Sequence, residues 1–331
     1  MISCPQCGTQ IAPSLLSCPS CRWLVHGAAL AQLAREADAA TQRNDPSAAL
    51  AAWRRMLDLL PPDARQRAVI AARIDAASRR LDGQHPSPAT ATPSPTRPRM
   101  KGSLAAGIGA AIVFLLTKAK LLLLGLANAG TLLSMLVSFG VYWTAWGWRF
   151  ALGVVVSIYI HEMGHVAALR RYGLKASPPM FIPGIGAFVH MKQPPLSSRE
   201  DARVGMAGPW WGLATALAAG AVFLATRQLF WAALAEVGGW LTLFNLTPVW
   251  QLDGSRAFHA LSKRQQWIAA LVFGALWAWT HEGLLILITV VAVVRALQHA
   301  APVDDDRGAL AQYVTLAVAA ASLCLINVPM R

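Results

Sequence analysis

Residues 154–171 read VVVSIYIHEMGHVAALRR, an apolar helical run that carries His161, Glu162 and His165 near its middle and two arginines at its end. An ionisable side chain at bilayer depth costs at least about 2.5 to 3.5 kcal/mol on insertion scales, so three in one such run point to function. His161 and His165 are four residues apart and project from one face of a helix, one turn above the other. Two neutral imidazoles so placed can grip one zinc ion. Glu162 sits one residue round, about 100 degrees away, where it can take a proton from a water whose pKa the metal lowers to about 7.

The surrounding chain sets the class. Of 331 residues, 55% are hydrophobic and only 14% charged, and thirteen are Trp, which describes a membrane protein. The net charge of +13 would suggest nucleic acid in a soluble protein. Here the Lys and Arg flank apolar runs, as cytoplasmic loops do, so the charge reads as topology and nucleic acid is not expected as a partner. Four of the five cysteines cluster near the N-terminus and Cys324 lies alone in an apolar run, which implies no disulfide framework and a reducing cytosol around the cluster. MISCPQCGTQIAPS has no signal-peptide pattern, so the first membrane segment is expected to anchor the chain.

Four regions follow from composition: 1–25, 26–83, 84–100 and 101–331. In the first, Cys4-Pro-Gln-Cys7 and Cys18-Pro-Ser-Cys21 form two pairs with ten residues between them. That spacing lets two tight turns offer four thiolates to one tetrahedral ion, and zinc suits four sulfurs without redox chemistry. The segment resembles a zinc ribbon and is expected to fold on a structural zinc; a redox dithiol is the alternative. In NDPSAALAAWRRMLDLLPPD (44–63), Asp45 and Pro46 suit the N-cap and first turn, Leu50, Trp53, Leu57 and Leu60 share a face, and Pro61 stops the helix. Helices on Leu30, Leu33 and Ala37 and on Ile70, Ile74, Ala77 and Leu81 flank it. Ala49, Trp53 and Pro61 resemble half a tetratricopeptide repeat; a plain helical hairpin is the alternative. Residues 1–83 are expected to meet a cytosolic protein partner, and the 84–100 linker, rich in Pro, Ser and Thr, to be extended and semi-rigid, closed by basic residues at the membrane surface.

The run 104–117 is too short to span, since crossing takes about twenty residues. It is expected to be interfacial or re-entrant, with Lys118 and Lys120 on the cytosolic side. Residues 121–146 then cross outward to Trp143, Trp146 and Trp148, and 149–169 return to Arg170, Arg171 and Lys175. Further spans are expected at about 204–226, 229–249 and 309–329, with a short pair between 267 and 297, about six crossings in all.

A catalytic zinc of this type takes a third protein ligand and leaves a position for water. Among the acids after Glu162, only Asp253 ends a span in a distinctive context, LFNLTPVWQLDGSRAF (243–258), where Asn245, Pro248, Asp253 and Gly254 interrupt an apolar helix. Pro and Gly free backbone groups at membrane depth, which is tolerated where a polar cavity is lined. Asp253 would supply the carboxylate, and Asn245 could donate a hydrogen bond to a carbonyl or a developing oxyanion. The competing reading is a proline kink with Asp253 as a helix N-cap.

On His161, Glu162 and His165, on Asn245, Pro248, Asp253 and Gly254, and on the small-residue helix start AGPWWG (207–212), the chain resembles the site-2 protease family of intramembrane zinc metalloproteases. The resemblance covers about 149–265. It implies an all-α polytopic membrane protein with a three-helix catalytic core, two His and one Asp on zinc, Glu162 as general base, and cleavage of a peptide bond in or beside a transmembrane segment of a membrane-tethered substrate. The setting it implies is the cytoplasmic membrane of a bacterium with the N-terminus in the cytosol. One departure is visible, since the second motif often has a further Pro where this chain reads Trp250 and Gln251. No PDZ-like segment is present, which leaves the zinc ribbon and helical region as candidates for arranging substrate choice.

A helical substrate hides its amides and must be locally unwound. SPPMFIPGIGAFVHMKQPP (177–195) is Pro-bounded and Gly-rich, and predicts a hairpin whose edge, at Gly186, Ala187, Phe188 and Val189, pairs with the unwound substrate. His190 reads as a turn histidine before it reads as a ligand. His259, His281 and His299 have no partner spacing and read as structural. Two other classes compete with a protease. A zinc protein that binds transmembrane helices without cutting them would not require Glu162; a transporter would pair charges across several spans, and none appear outside the two motifs.

Overall fold

The computed structural model describes residues 1–83, 123, 126–191, 193, 195, 197–298, 301–302 and 304–326. The 84–100 linker, the 104–117 run with Lys118 and Lys120, and His299 lie outside the described residues. The chain divides into two units, and the first takes in Leu169–Lys175 and Gln193–Ser197 along with the N-terminal region.

In the first unit, β1 (Ile2–Ser3) pairs antiparallel with β2 (Gln10–Ile11), Ile2 opposite Ile11. Three helices follow: α1 (Gly27–Gln42), α2 (Pro46–Leu59) and α3 (Arg65–Gly83). The start of α2 is fixed locally, because the Asp45 side chain accepts from Ala48 N at 3.0 Å and Pro46 takes the first turn. Such a cap is worth about 1 kcal/mol. The stop is local too: Leu60, before Pro61, is extended, as the clash with the following ring demands. Leu30, Leu33, Leu50, Trp53, Leu57, Ile70, Ile74 and Leu81 are all buried, so the apolar faces read from the sequence meet one another.

The same unit encloses 169–175. Ser47 Oγ donates to Arg171 O (2.8 Å), Arg54 Nε to Tyr172 O (2.9 Å) and Arg171 Nη2 to Leu81 O (2.8 Å), while Tyr172 OH bonds Asp82. These bonds satisfy carbonyls that a helix end leaves orphaned. Gly173 turns the chain at φ +68°, with Leu174 N returning to Leu169 O at 2.8 Å, a Schellman stop. A Cβ on Gly173 would lie 2.4 Å from Ala51 N, so the position needs glycine for space as well as for φ.

The second unit is built on α4 (Ala129–Trp146), α5 (Trp148–Arg171, apart from its last turn), α6 (Ser198–Thr226), α7 (Leu229–Asn245), α8 (Asp253–His259), α9 (Lys263–Thr280), α10 (Gly283–Gln298) and α11 (Arg307–Leu323). A hairpin of β3 (Met180–Ile182) and β4 (Gly186–Phe188) interrupts them, with Phe181 opposite Ala187. Helix α6 packs on α7, α8 and α11, and α9 on α10. The α6–α7 approach is close because one side is bare: a Cβ on Gly238 would meet Ala216 Cβ at 2.6 Å. Small residues give apolar helices backbone-to-backbone contact where water supplies no driving force.

Among the described residues two helices, α5 and α6, are long and apolar enough to cross a bilayer, and α10 is a shorter apolar helix. On α4, Leu133 and Leu136 are each 65% exposed, a surface suited to lipid rather than water. AGPWWG lies inside α6 instead of at its start, since the helical residues 198–208, eleven of them, precede Pro209. Proline at a helix start is the usual expectation because its missing N–H costs nothing there; here it sits mid-helix.

Candidate metal centre

Helix α5 presents His161 and His165 on one face, and α8 begins at Asp253, so three side chains from two distant stretches converge. Asp253 Oδ2 lies 3.0 Å from His161 Nε2, and Asp253 Oδ1 lies 3.2 Å from His165 Nε2. The two Nε2 atoms are 3.3 Å apart. A tetrahedral ion with bonds of about 2.0 to 2.1 Å sets its ligand atoms about 3.3 Å apart, so the donors already form one face of such a site. All three residues are buried, 7% to 9% exposed. The N-cap of α8 is Leu252, so the Asp253 carboxylate is not used to cap its helix.

Room for the ion is visible in α6. A Cβ built on Gly208 would lie 2.2 Å from His165 Nε2 and 2.6 Å from His161 Nε2, close to where a metal would be bonded. Any larger residue would fill the cradle. Also on α6, the carbonyl of Val204 accepts from His165 Nδ1 at 2.9 Å. That bond fixes the tautomer, leaving the Nε2 lone pair for a metal. Neither Gly208 nor Val204 could be assigned a role from sequence, since one contributes space and the other a carbonyl.

Glu162 is buried (5% exposed) and within electrostatic reach of His165, His161 and Asp253. Asn245 is the last residue of α7 and is half-buried; it is not one of the converging donors. Ala187 and Val189 are half-buried and pack with the cluster around Met163 and Val166 of α5, while Phe188 and His190 are exposed. Among the described residues His190, His259 and His281 join no metal-ligating group, and His259 Nε2 instead meets Arg295 at 3.1 Å.

The second group is Cys4, Cys7, Cys18 and Cys21. Their sulfurs approach in pairs, Cys4 to Cys21 and Cys7 to Cys18, each at 3.6 Å. That is far beyond a disulfide and near the edge of about 3.8 Å that four bonds of about 2.3 Å impose around zinc. The two knuckles repeat each other: Gly8 N bonds Cys4 O and Cys4 N bonds Thr9 O, while Arg22 N bonds Cys18 O and Cys18 N bonds Trp23 O. Gly8 and Arg22 hold the same left-handed place, at φ +73° and +60°. The Thr9 hydroxyl, 3.3 Å from Cys7 Sγ, and the Thr9 backbone bond lower the Cys7 pKa to about 6.

This arrangement, an i, i+4 histidine pair with an adjacent glutamate and a carboxylate from a helix break, all among apolar helices, has the donor set of a metal centre with a base beside it. Residues 149–229 match the model of Peptidase family M50, so the chain carries an M50 (site-2 protease) segment. A zinc metalloprotease of Methanocaldococcus jannaschii is 29% identical over 140 residues, which cover 39% of this chain and 39% of that protein. The chain therefore spans about two fifths of that relative's length. The family match ends before Asp253, which geometry alone joins to the histidines.

Proposed function

We propose that the chain is an intramembrane zinc metalloprotease that hydrolyses a peptide bond within or beside a transmembrane segment. The observation that carries this reading is the Asp253 carboxylate set 3.0 and 3.2 Å from two imidazole nitrogens of a helix 92 residues earlier, beside a buried Glu162. His161, His165 and Asp253 would hold zinc, which when bound would supply a Lewis acid and a water of lowered pKa. Glu162 accepts the proton of the attacking water and passes it to the departing amine. Asn245, at the broken end of α7, donates its amide to the substrate carbonyl. Burial of His161, Glu162, His165 and Asp253 excludes bulk water and strengthens each interaction.

The hairpin supports a strand-addition route for the substrate. Phe181 N donates to Ser134 Oγ at 3.2 Å and Thr131 Oγ1 to Pro179 O at 2.8 Å, so α4 covers the β3 edge. By register, Ala187 opposite Phe181 directs its own N–H and C=O to the other edge. Gly186 to Val189 would there receive the unwound segment. The four thiolates would hold a structural zinc, and residues 1–83 would face the cytosol and a protein partner. We place the chain in the cytoplasmic membrane, crossing about six times.

The test pairs metal analysis with cleavage of a transmembrane substrate for the intact protein, Glu162→Gln and Asp253→Ala. The reading expects cleavage by the intact protein, full zinc but a loss of about 10²- to 10⁴-fold in rate for Glu162→Gln, and loss of the α5 zinc for Asp253→Ala. Glu162→Gln cutting at the intact rate would refute it.

A further inference from the structure

Breaking a helix leaves carbonyls without partners, and the loop between α7 and α8 must find them elsewhere. At Leu246 the oxygen accepts from Tyr313 OH of α11 at 2.5 Å. At Pro248 it accepts from Arg295 Nε of α10 at 2.8 Å. The same guanidinium reaches past Asp253: Nη2 donates to Ser255 Oγ at 3.0 Å, and Nη1 meets His259 Nε2 at 3.1 Å. Arg295 therefore holds the chain five residues before Asp253 and two residues after it.

The residue stands out in its own helix. The sequence of α10 is GLLILITVVAVVRALQ, in which Arg295 is the one charged side chain. A cation in an apolar helix is costly, and its forked donors suit a site where several acceptors in fixed directions must be gathered. Pro248, Ser255 and His259 all belong to the segment that carries Asp253. The loop has little slack otherwise, since a Cβ on Gly254 would lie 2.0 Å from Leu246 O.

We propose that Arg295 is the positioning residue of the metal centre, clamping Pro248, Ser255 and His259 so that the Asp253 carboxylate stays against His161 and His165. This rests on the metalloprotease reading. It goes beyond it by assigning a third helix, outside the segment matched to the family, to the geometry of the ligand set. Arg295 touches neither metal nor substrate; it acts through the backbone and hydroxyl that flank the ligand. A lysine keeps the charge but reaches one acceptor in place of three, so charge and geometry can be separated.

The experiment measures zinc release to a chelator from the full-length protein, with the four-thiol zinc as an internal control, for the intact chain, Arg295→Lys, Arg295→Ala and Asp253→Ala. Partners that orient ligands typically contribute about 10- to 100-fold to metal affinity. The expected result is release from the histidine site at least about tenfold faster for Arg295→Ala, an intermediate rate for Arg295→Lys, and an unchanged thiol site. Should Arg295→Ala not fold, Ser255→Ala removes one acceptor and is expected to speed release by a smaller factor. If the intact chain holds zinc at the histidine site and Arg295→Ala, or in its place Ser255→Ala, releases it no faster, the clamp is wrong while the protease reading stands. If the intact chain holds no zinc there, the protease reading falls and the clamp with it.

Discussion

The two groups of metal-ligating side chains are framed in opposite ways. Cys4, Cys7, Cys18 and Cys21 sit on turns, with Ile11 and two of the sulfurs as the buried centre and little other apolar area. His161, His165 and Asp253 sit on helices packed by a large apolar core, and their donor atoms are gathered by neighbours: Val204 O on His165, and Arg295 around Asp253. A segment with so small a core cannot offset the backbone entropy of ordering it without the ion, whereas the helices fold on their own burial. The lesson is that one site should exist because of its metal and the other should wait for it.

The largest effect expected is therefore on fold, and only at one end. Cys18→Ser removes a fully buried sulfur (0% exposed) from the thiol group. Structural zinc sites in small fingers are worth about 10 to 16 kcal/mol, so residues 1–25 should become protease-sensitive while the helices survive. His161→Ala, by contrast, should lose its zinc and leave the protease pattern of the whole chain unchanged. Limited proteolysis of both variants, with metal analysis, checks this; an intact N-terminal segment in Cys18→Ser would erase the contrast.

Second in size is an effect on metal alone. In Gly208→Ala the new methyl would stand 2.2 Å from His165 Nε2, so the variant should carry the thiol zinc only. Gly212→Ala, whose Cβ would stay 3.1 Å from His161 Nδ1, should keep more of the histidine-site zinc. Equal zinc content in the two variants would show that the cradle is not where the bare face of α6 puts it.

The sequence exposed those parts of the site that are local. His161, Glu162 and His165 announce themselves because a helix turns every 3.6 residues, and the four cysteines because two knuckles need a fixed spacing. Asp253 was legible for a different reason, as a rare acid beside Pro248 and Gly254 in an apolar run. Gly208 was legible only as one small residue in AGPWWG, which the resemblance took for a helix start and which lies inside α6. Arg295 and Tyr313 were missed altogether. Their contribution is tertiary, from helices that pack on the loop at 2.5 to 2.8 Å, and no period in the chain encodes it. A signal did exist for Arg295, a lone charge in α10, but it named no partner.

The smallest effect separates the two sites by chemistry at the surface. Cys7 is exposed, and the Thr9 hydroxyl and backbone hold its pKa near 6, against a reference value of 9.0. A thiol reacts as its thiolate, so in a chelator pulse that strips the zinc before the knuckles unravel, Cys7 should be alkylated first. Its rate should rise as pH passes through about 6 and level off by about 8, because a lowered pKa moves the titration to acid. Cys18, buried, should react last, and zinc should protect all four. The expected gain in rate for Cys7 over an ordinary exposed thiol at pH 7 is modest, about tenfold or less, since a more acidic thiolate is also a weaker nucleophile. Mass mapping of alkylated peptides across pH reads both points. If Cys7 titrates like a free cysteine, the Thr9 contacts do not shape this knuckle, and the resemblance between the two turns would extend only to their backbones.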